Sequence, residues 1–277
     1  MKKTINNQRS TISDISNLLH DVDILKYDET FINKSIQSRI AETKSKSEEE
    51  YFAILKQNKK EVAKFLNSLH NNYSEFFRNQ LTFSVLEQII IPSLILKKKE
   101  SKNKEIRIWS AACAAGQEAY SIAMLFEEYN ANNNEKVKYR IFATDQCEKQ
   151  LTQARTGKFD LSDINNLNFK RIKQWFTKHG DAYFVKPILK KNIDITEFDL
   201  FNEKYSCPPV SIFGDFDIVL CANLLFYFKP EYRKRILNKT SNCLSNGGYI
   251  ITGETEREIL MNFNLKEVYS QSAIFKK

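Results

Sequence analysis

Apolar residues in the first hundred positions recur at helical spacing: Ile15, Leu18, Leu19 and Val22, then Tyr51, Ile54, Leu55, Val62, Phe65, Leu66 and Leu69. An i, i+3, i+4 rhythm places such residues along one face of a helix. The same stretch holds no glycine and a single proline, Pro92. An all-helical N-terminal region is therefore predicted, with residues 1–12 frayed. The polar run Ala41–Glu50 interrupts it. Ser47 followed by Glu50 reads as a capping box that opens a helix of about residues 48–70.

From Glu105 the pattern changes to short apolar runs alternating with helical stretches. Strands are expected at Ile106–Ser110, Tyr139–Ala143, Phe216–Cys221 and Gly247–Thr252. Helices are expected near 117–130, 146–156 and 231–244. Strands alternating with helices predict an α/β fold, a mainly parallel sheet covered on both faces. Leu265–Tyr269 and Ala273–Phe275 leave no room for a crossover helix and predict an antiparallel hairpin at the sheet edge. Between these units, residues 157–198 break the alternation. Phe169–Phe176 looks helical, and Ala182–Val185 and Lys191–Ile195 look like strands on either side of Pro187, which predicts a small inserted β-rich element.

Composition narrows the class. The chain has 277 residues, 42% hydrophobic and 27% charged, so it supports a core and is not disordered overall. Its apolar runs, such as Ile89–Leu96, fall short of the roughly 18–20 residues of a membrane span. Asn6–Arg9 is polar where a signal peptide needs its apolar region. Five cysteines, widely spaced and without a C-x-x-C pair, predict neither a disulfide framework nor a zinc cage, and fit a reducing cytoplasm. The three histidines are scattered, and no metal is implied. A net charge of +8 points to an acidic partner.

Four segments carry candidate chemistry. The first strand runs into six small residues, Ala111–Gly116, and then a helix. Small side chains let a ligand approach the backbone at the carboxyl end of a strand, the ligand crevice of doubly wound sheets. The loop lacks the G-x-G-x-x-G phosphate fingerprint and suits a nucleoside without a pyrophosphate, although tight strand–helix packing would also explain it. Glu118 in the first helical turn either complements the helix dipole or holds a ligand ammonium group. Asp145, closing Ala143-Thr-Asp145, either caps a helix or accepts from two ribose hydroxyls. Asn223 in Cys221–Phe228 follows the buried strand, and Phe226, Tyr227 and Phe228 either fill the core or wall a pocket. Asn72, Ser74 and Arg78 form a polar cluster around the apolar pair Phe76–Phe77.

In this order and spacing the four segments resemble the chemotaxis receptor glutamate methyltransferase (CheR) family. That family carries N-x-T-x-F-F-R, then R-I-W-S-A-x-C-x-x-G-x-E-x-Y-S, A-T-D, F-D-x-I-x-C-x-N-x-x-x-Y-F, G-G and a closing G-x-x-E. This chain supplies Asn72, Ser74 and Arg78; Arg107–Ser121; Ala143–Asp145; Phe216–Phe228; Gly247-Gly248; and Gly253–Glu256. The match covers roughly residues 50–277. Ser74 stands where the family has Thr, and Gln117 and Ala119 where it commonly has Glu and Pro.

The resemblance implies a Rossmann-like methyltransferase domain (101–277) with a small β-subdomain inserted around 157–196. It also implies an N-terminal all-helical domain (46–100); residues 1–45 are a poorly matched helical or flexible segment. S-Adenosylmethionine is implied as methyl donor, leaving S-adenosylhomocysteine, and the glutamates of a cytoplasmic segment of chemotaxis receptors as acceptors. The implied cofactor contacts are Asn72, Ser74, Arg78, Glu118, Asp145, Asn223 and Leu224. Arg78 and Tyr227 are the candidates for orienting the acceptor carboxylate. Some members dock a receptor tail on the β-subdomain, which is too divergent here to carry that ability over. A cytoplasmic monomer in signal transduction is expected, with no membrane insertion and no nucleic-acid partner. Lys56, Lys60 and Lys64, with Lys59 beside them, would form one positive stripe that steers acidic receptor helices.

Two other readings share the cofactor. Nucleic-acid amino-methyltransferases resemble [DN]-P-P-[FY] after the fourth strand, but Asn223-Leu-Leu-Phe226 lacks both prolines. A catalytically silent cofactor-binding module would keep Glu118 and Asp145 equally well.

Overall fold

The computed structural model describes Ile15, 23–69, 73–263 and 265–277. Its contacts divide the chain into two compact units, one of Met1–Asn71 with Phe226–Lys234 and one of Asn72–Leu225 with Arg235–Lys277. Asn72 lies outside the described residues, as do residues 1–12 and Leu18, Leu19 and Val22.

Among the described residues the first unit contains helices α1 (Glu29–Thr43), α2 (Glu48–Gln57) and α3 (Lys59–Ser68). Each begins at a residue whose side chain accepts a backbone N–H, namely Asp28, Ser47 and Asn58. The expected capping box is only half formed: Ser47 Oγ accepts from Glu50 N, but the Glu50 carboxylate reaches back to Lys46 N. The single helix predicted over 48–70 is two. Asn58 leaves the helical region (φ −124°, ψ 95°), and its side chain caps Lys60 and Glu61, so Lys56 stands on a different helix from Lys60 and Lys64. The apolar rhythm runs through this break because both helices bury a face, Tyr51 and Leu55 on α2 and Phe65 on α3. Arg39 forks onto Glu61 at 2.8 and 2.9 Å inside this unit, and the Tyr51 hydroxyl donates to the same carboxylate at 3.2 Å. Phe226–Lys234 closes the unit: Asp28 N donates to Tyr227 O, and Tyr27 stacks on Phe228.

The second unit opens with α4, a 20-residue helix (Gln80–Lys99) that is long and apolar enough to cross a membrane by those two measures. Here Phe83, Val85, Leu86, Ile90, Ile91, Leu94 and Ile95 are instead buried in the core of the α/β unit. The sequence reading groups this helix with the N-terminal domain at 46–100, whereas its packing belongs with the sheet. Pro92 is accommodated by a π-turn, Leu86–Ile90, in which Ile91 N donates to Leu86 O. A proline cannot donate to the regular ladder, and widening the preceding turn absorbs the defect.

The main sheet contains β1 (Ile106–Ala111), β2 (Tyr139–Asp145), β6 (Ile193–Glu197), β7 (Phe216–Leu220), β8 (Leu244–Ile251), β9 (Lys266–Glu267) and β10 (Ile274–Lys276), in the order β6-β2-β1-β7-β8-β10-β9. β1, β2, β6, β7 and β8 pair in parallel, and β10 runs antiparallel to β8 and β9 as the hairpin pattern predicts. Helices α5 (Gln117–Asn132), α6 (Glu148–Thr156) and α8 (Pro230–Asn242) follow β1, β2 and β7, the Rossmann-like alternation expected. The inserted element is a second sheet of β3 (Lys158–Asp160), β5 (Ala182–Val185) and β4 (Phe176–His179), with α7 (Phe169–Trp175) ahead of β4. The strand near Lys191–Ile195 is not part of it. That segment is β6, which continues the main sheet beside β2 through Ile141↔Ile193 to Asp145↔Glu197.

Candidate functional site

The strand order reverses between β1 and β7, so the loops after these two strands flank a switch point, where parallel sheets place their ligands. The loop after β1 has unusual backbone geometry: Ala112, Ala114 and Gly116 take φ of 138°, 46° and 88°. Positive φ costs an alanine about 1–2 kcal/mol, and surrounding bonds hold it in place. Cys113 N donates to Thr144 O, Ala114 N to Asp145 Oδ2 at 3.0 Å and Gly116 N to Cys113 O. Trp109 Nε1 donates to Thr144 Oγ1 at 2.9 Å, tying the ends of β1 and β2 together.

Asp145 is partly exposed at the end of β2. Its two oxygens each take one backbone N–H, from Ala114 and from Cys147 at 2.9 Å. A carboxylate oxygen has two lone-pair directions, so each retains capacity for a second donor. This is the arrangement that vicinal ribose hydroxyls require.

Glu118 sits in the first turn of α5, where its Oε1 accepts from the Ser110 hydroxyl at 2.6 Å. Burial pushes its carboxyl up to about 7, a rise opposed by that hydrogen bond and by the Arg78 charge and reinforced by the charge of Glu256. An acid held there is poised to become fully ionised when a cation arrives.

The backbone at Ser74 and Phe77, which carries Arg78 next in the chain, is fastened to the same helix. Gln117 Nε2 donates to Ser74 O at 3.2 Å, Phe77 N donates to Ser121 Oγ at 3.1 Å, and Ser121 Oγ donates to Gln117 O. Phe76 is locked edge-on between Phe159 and Phe176, and the Arg171 guanidinium lies 4.1 Å over Phe77 while forking onto Glu128. Arg78 remains exposed and lies over the Tyr73 ring.

Asn223, at φ 58°, begins the turn after β7, with half-buried Leu224 behind it. Ser74, Arg78, Glu118, Asp145, Asn223 and Leu224 thus belong to one compact unit, while Tyr227 is assigned to the helical one, where its ring packs against Phe31. No role for Ser110 or Glu256 is legible in the sequence. Both stand inside motifs already singled out, R-I-W-S and G-x-x-E, but nothing in the spacing shows that Ser110 bonds Glu118 or that Glu256 is fully buried.

These groups fit S-adenosylmethionine by the chemistry of their donor set. Glu118 suits an ammonium and Asp145 suits paired hydroxyls, and the small-residue loop Ala111–Gly116 leads into the helix that carries Glu118.

The profile of the family described as "CheR methyltransferase, SAM binding domain" matches residues 72–274. The chain is 35% identical to a chemotaxis protein methyltransferase of Borreliella burgdorferi, over 78% of this chain and 74% of that one. It is 30% identical to a protein of the same name from Listeria innocua, over 85% and 84%. It is 33% identical to chemotaxis protein methyltransferase Cher2 of Pseudomonas putida, over 69% and 68%. The Asp145 and Glu118 positions lie within all that the profile spans, and this chain belongs to the CheR methyltransferase family.

Proposed function

We infer that this chain is an S-adenosylmethionine-dependent protein-glutamate O-methyltransferase that modifies the cytoplasmic segment of chemotaxis receptors and works in the cytoplasm. The reading is carried by the paired acids on the switch-point loops, Glu118 on Ser110 and Asp145 on Ala114 and Cys147, in a chain of this family.

S-Adenosylmethionine, when bound, supplies a methyl group already activated by its sulfonium. A glutamate carboxylate is ionised near pH 7, so the chain need not remove a proton from the acceptor. Its residues have three tasks. Glu118 takes the ammonium and Asp145 the ribose hydroxyls, with Asn72, Ser74, Asn223 and Leu224 completing the contact. Arg78 orients the incoming carboxylate. The third task is to exclude water that would blunt an anionic nucleophile. Exposed Lys56, Lys59, Lys60 and Lys64 provide the positive surface that attracts acidic receptor helices.

Calorimetry with S-adenosylhomocysteine, followed by transfer of radiolabelled methyl to a receptor cytoplasmic segment, tests the proposal. Expected are saturable binding, and label released as methanol under mild base, the signature of a carboxyl ester. Asp145→Ala should weaken binding at least tenfold, since hydrogen bonds to a charged group contribute about 1.5–3 kcal/mol. Absence of binding by the wild-type chain, or label stable to base, overturns it.

A further inference from the structure

We infer that Glu256 is a positioning residue for methyl transfer: its buried carboxylate holds the Asn223–Leu225 turn in the one backbone shape that presents Asn223 and Leu224 to the cofactor. This rests on the function proposed above and adds a residue outside the cofactor contacts.

The ends of β7 and β8 lie side by side, with Leu220 opposite Ile251 and Cys221 N donating to Ile251 O. Beyond that point both strands give way to loops. Glu256, completely buried, bridges them. Its Oε2 accepts from Asn223 N at 2.7 Å, Gly253 N at 2.9 Å and the Thr252 hydroxyl at 2.9 Å, while Oε1 accepts from Leu225 N at 2.6 Å. Two of these donors are backbone groups of the turn. Turning the Asn223 and Leu225 N–H groups, two residues apart, onto one carboxylate goes with a left-handed residue in the turn, and Asn223 supplies it at φ 58°. Asparagine tolerates that region better than most residues.

A second observation comes from the opposite side of the turn. A Cβ on Gly253 would stand 2.8 Å from Asn223 Oδ1 and 2.9 Å from Glu256 Oε2. The absence of a side chain at 253 therefore lets the Asn223 amide and the Glu256 carboxylate share the same space. Donors reach both carboxylate oxygens, a pattern that an amide cannot satisfy: Glu256→Gln would set its own NH2 against at least one N–H.

The experiment measures S-adenosylhomocysteine affinity, kcat, the KM for the receptor segment and the melting temperature of the wild type, Glu256→Gln, Gly253→Ala and Thr252→Val. Glu256→Gln and Gly253→Ala are each expected to weaken cofactor binding about tenfold or more and to lower kcat, with the receptor KM unchanged, at temperatures well below their melts. Thr252→Val, which removes one donor and leaves the backbone bonds, should lose threefold or less. Wild-type affinity and kcat in Glu256→Gln and Gly253→Ala, even with lowered melting temperatures, overturn the inference. Should Glu256→Gln fail to fold, Gly253→Ala decides by the same criterion. If the wild type itself binds no S-adenosylhomocysteine, the proposed function falls and takes this inference with it. If the wild type binds and the variants bind equally, this inference alone falls.

Discussion

The Ser110 hydroxyl, on β1, donates to Glu118 Oε1 at 2.6 Å across the loop that separates strand from helix. This bond sets the direction of a carboxyl whose proton affinity burial has already raised to about 7. The hydroxyl favours the ionised acid, the surroundings favour the neutral one, and a ligand cation tips the balance.

Cofactor binding should therefore be coupled to proton release. Near pH 7 part of the Glu118 population carries a proton in the free protein, and a bound ammonium would expel it. Affinity for S-adenosylhomocysteine is expected to fall as pH drops from 8 to 6, approaching tenfold per pH unit at the acid end. Calorimetry in buffers of different ionisation enthalpy should register the released proton, and Glu118→Gln should abolish the release while weakening binding.

The same acid is expected to cost stability. Its folded pKa lies above its unfolded value, so folding is favoured most at acid pH and the advantage is lost as pH rises through about 7. At pH 8 the ionised carboxylate is held where burial opposes it. Glu118→Gln should then melt higher than the wild type, by roughly 1–3 kcal/mol after allowing for partial solvent access. That margin should narrow as pH falls towards 5. A variant that melts lower at pH 8 would contradict the assignment.

Gly116→Ala addresses the loop itself. A Cβ there would meet the Ala154 Cβ at 3.0 Å, and φ is 88°. Strain and crowding together should cost roughly 1–3 kcal/mol, read as a lower denaturant midpoint, with a several-fold loss of cofactor affinity because Ala114 and Gln117 would move.

In the helical unit, Glu61→Ala removes the buried partner of the Arg39 guanidinium, which keeps only the exposed Glu42, and the acceptor of the buried Tyr51 hydroxyl. Removing one member of a buried ion pair costs about 3–5 kcal/mol. A thermal melt should show a large drop, while cofactor affinity measured well below the transition stays at the wild-type value.

Charge reversal separates the lysines that the break at Asn58 divides. Lys60→Glu combined with Lys64→Glu acts on α3 alone, and Lys56→Glu on α2 alone. The α3 pair should reduce kcat/KM for the receptor roughly three- to tenfold at low salt, with the loss shrinking as salt screens it. Cofactor binding should be unaffected; equal receptor kinetics in wild type and variant would dismiss the steering role.

Much of the α/β unit is determined by its sequence because its signals are local. A buried parallel strand must be largely apolar, as in Phe216–Leu220, whose one acid, Asp217, is paired with Lys98, and small residues must line a loop that meets a ligand, as in Ala111–Gly116. The motif residues Glu118 and Asp145 are legible for the same reason, since one stands two residues past the small-residue loop and the other closes a strand. What only the tertiary structure decided depends on partners distant in the chain. Lys191–Ile195 has a strand's composition, yet its membership in the main sheet rests on pairing with β2, some fifty residues earlier. The break at Asn58 hides under an unbroken apolar rhythm because both flanking helices bury a face. Glu256 closes the G-x-x-E motif without a legible role until Asn223 and Leu225, over thirty residues before it, direct their N–H groups onto it. A chain encodes its elements through neighbours a few residues apart; the proton affinity of Glu118 and the grip on Asn223 arise from groups that meet only when those elements pack.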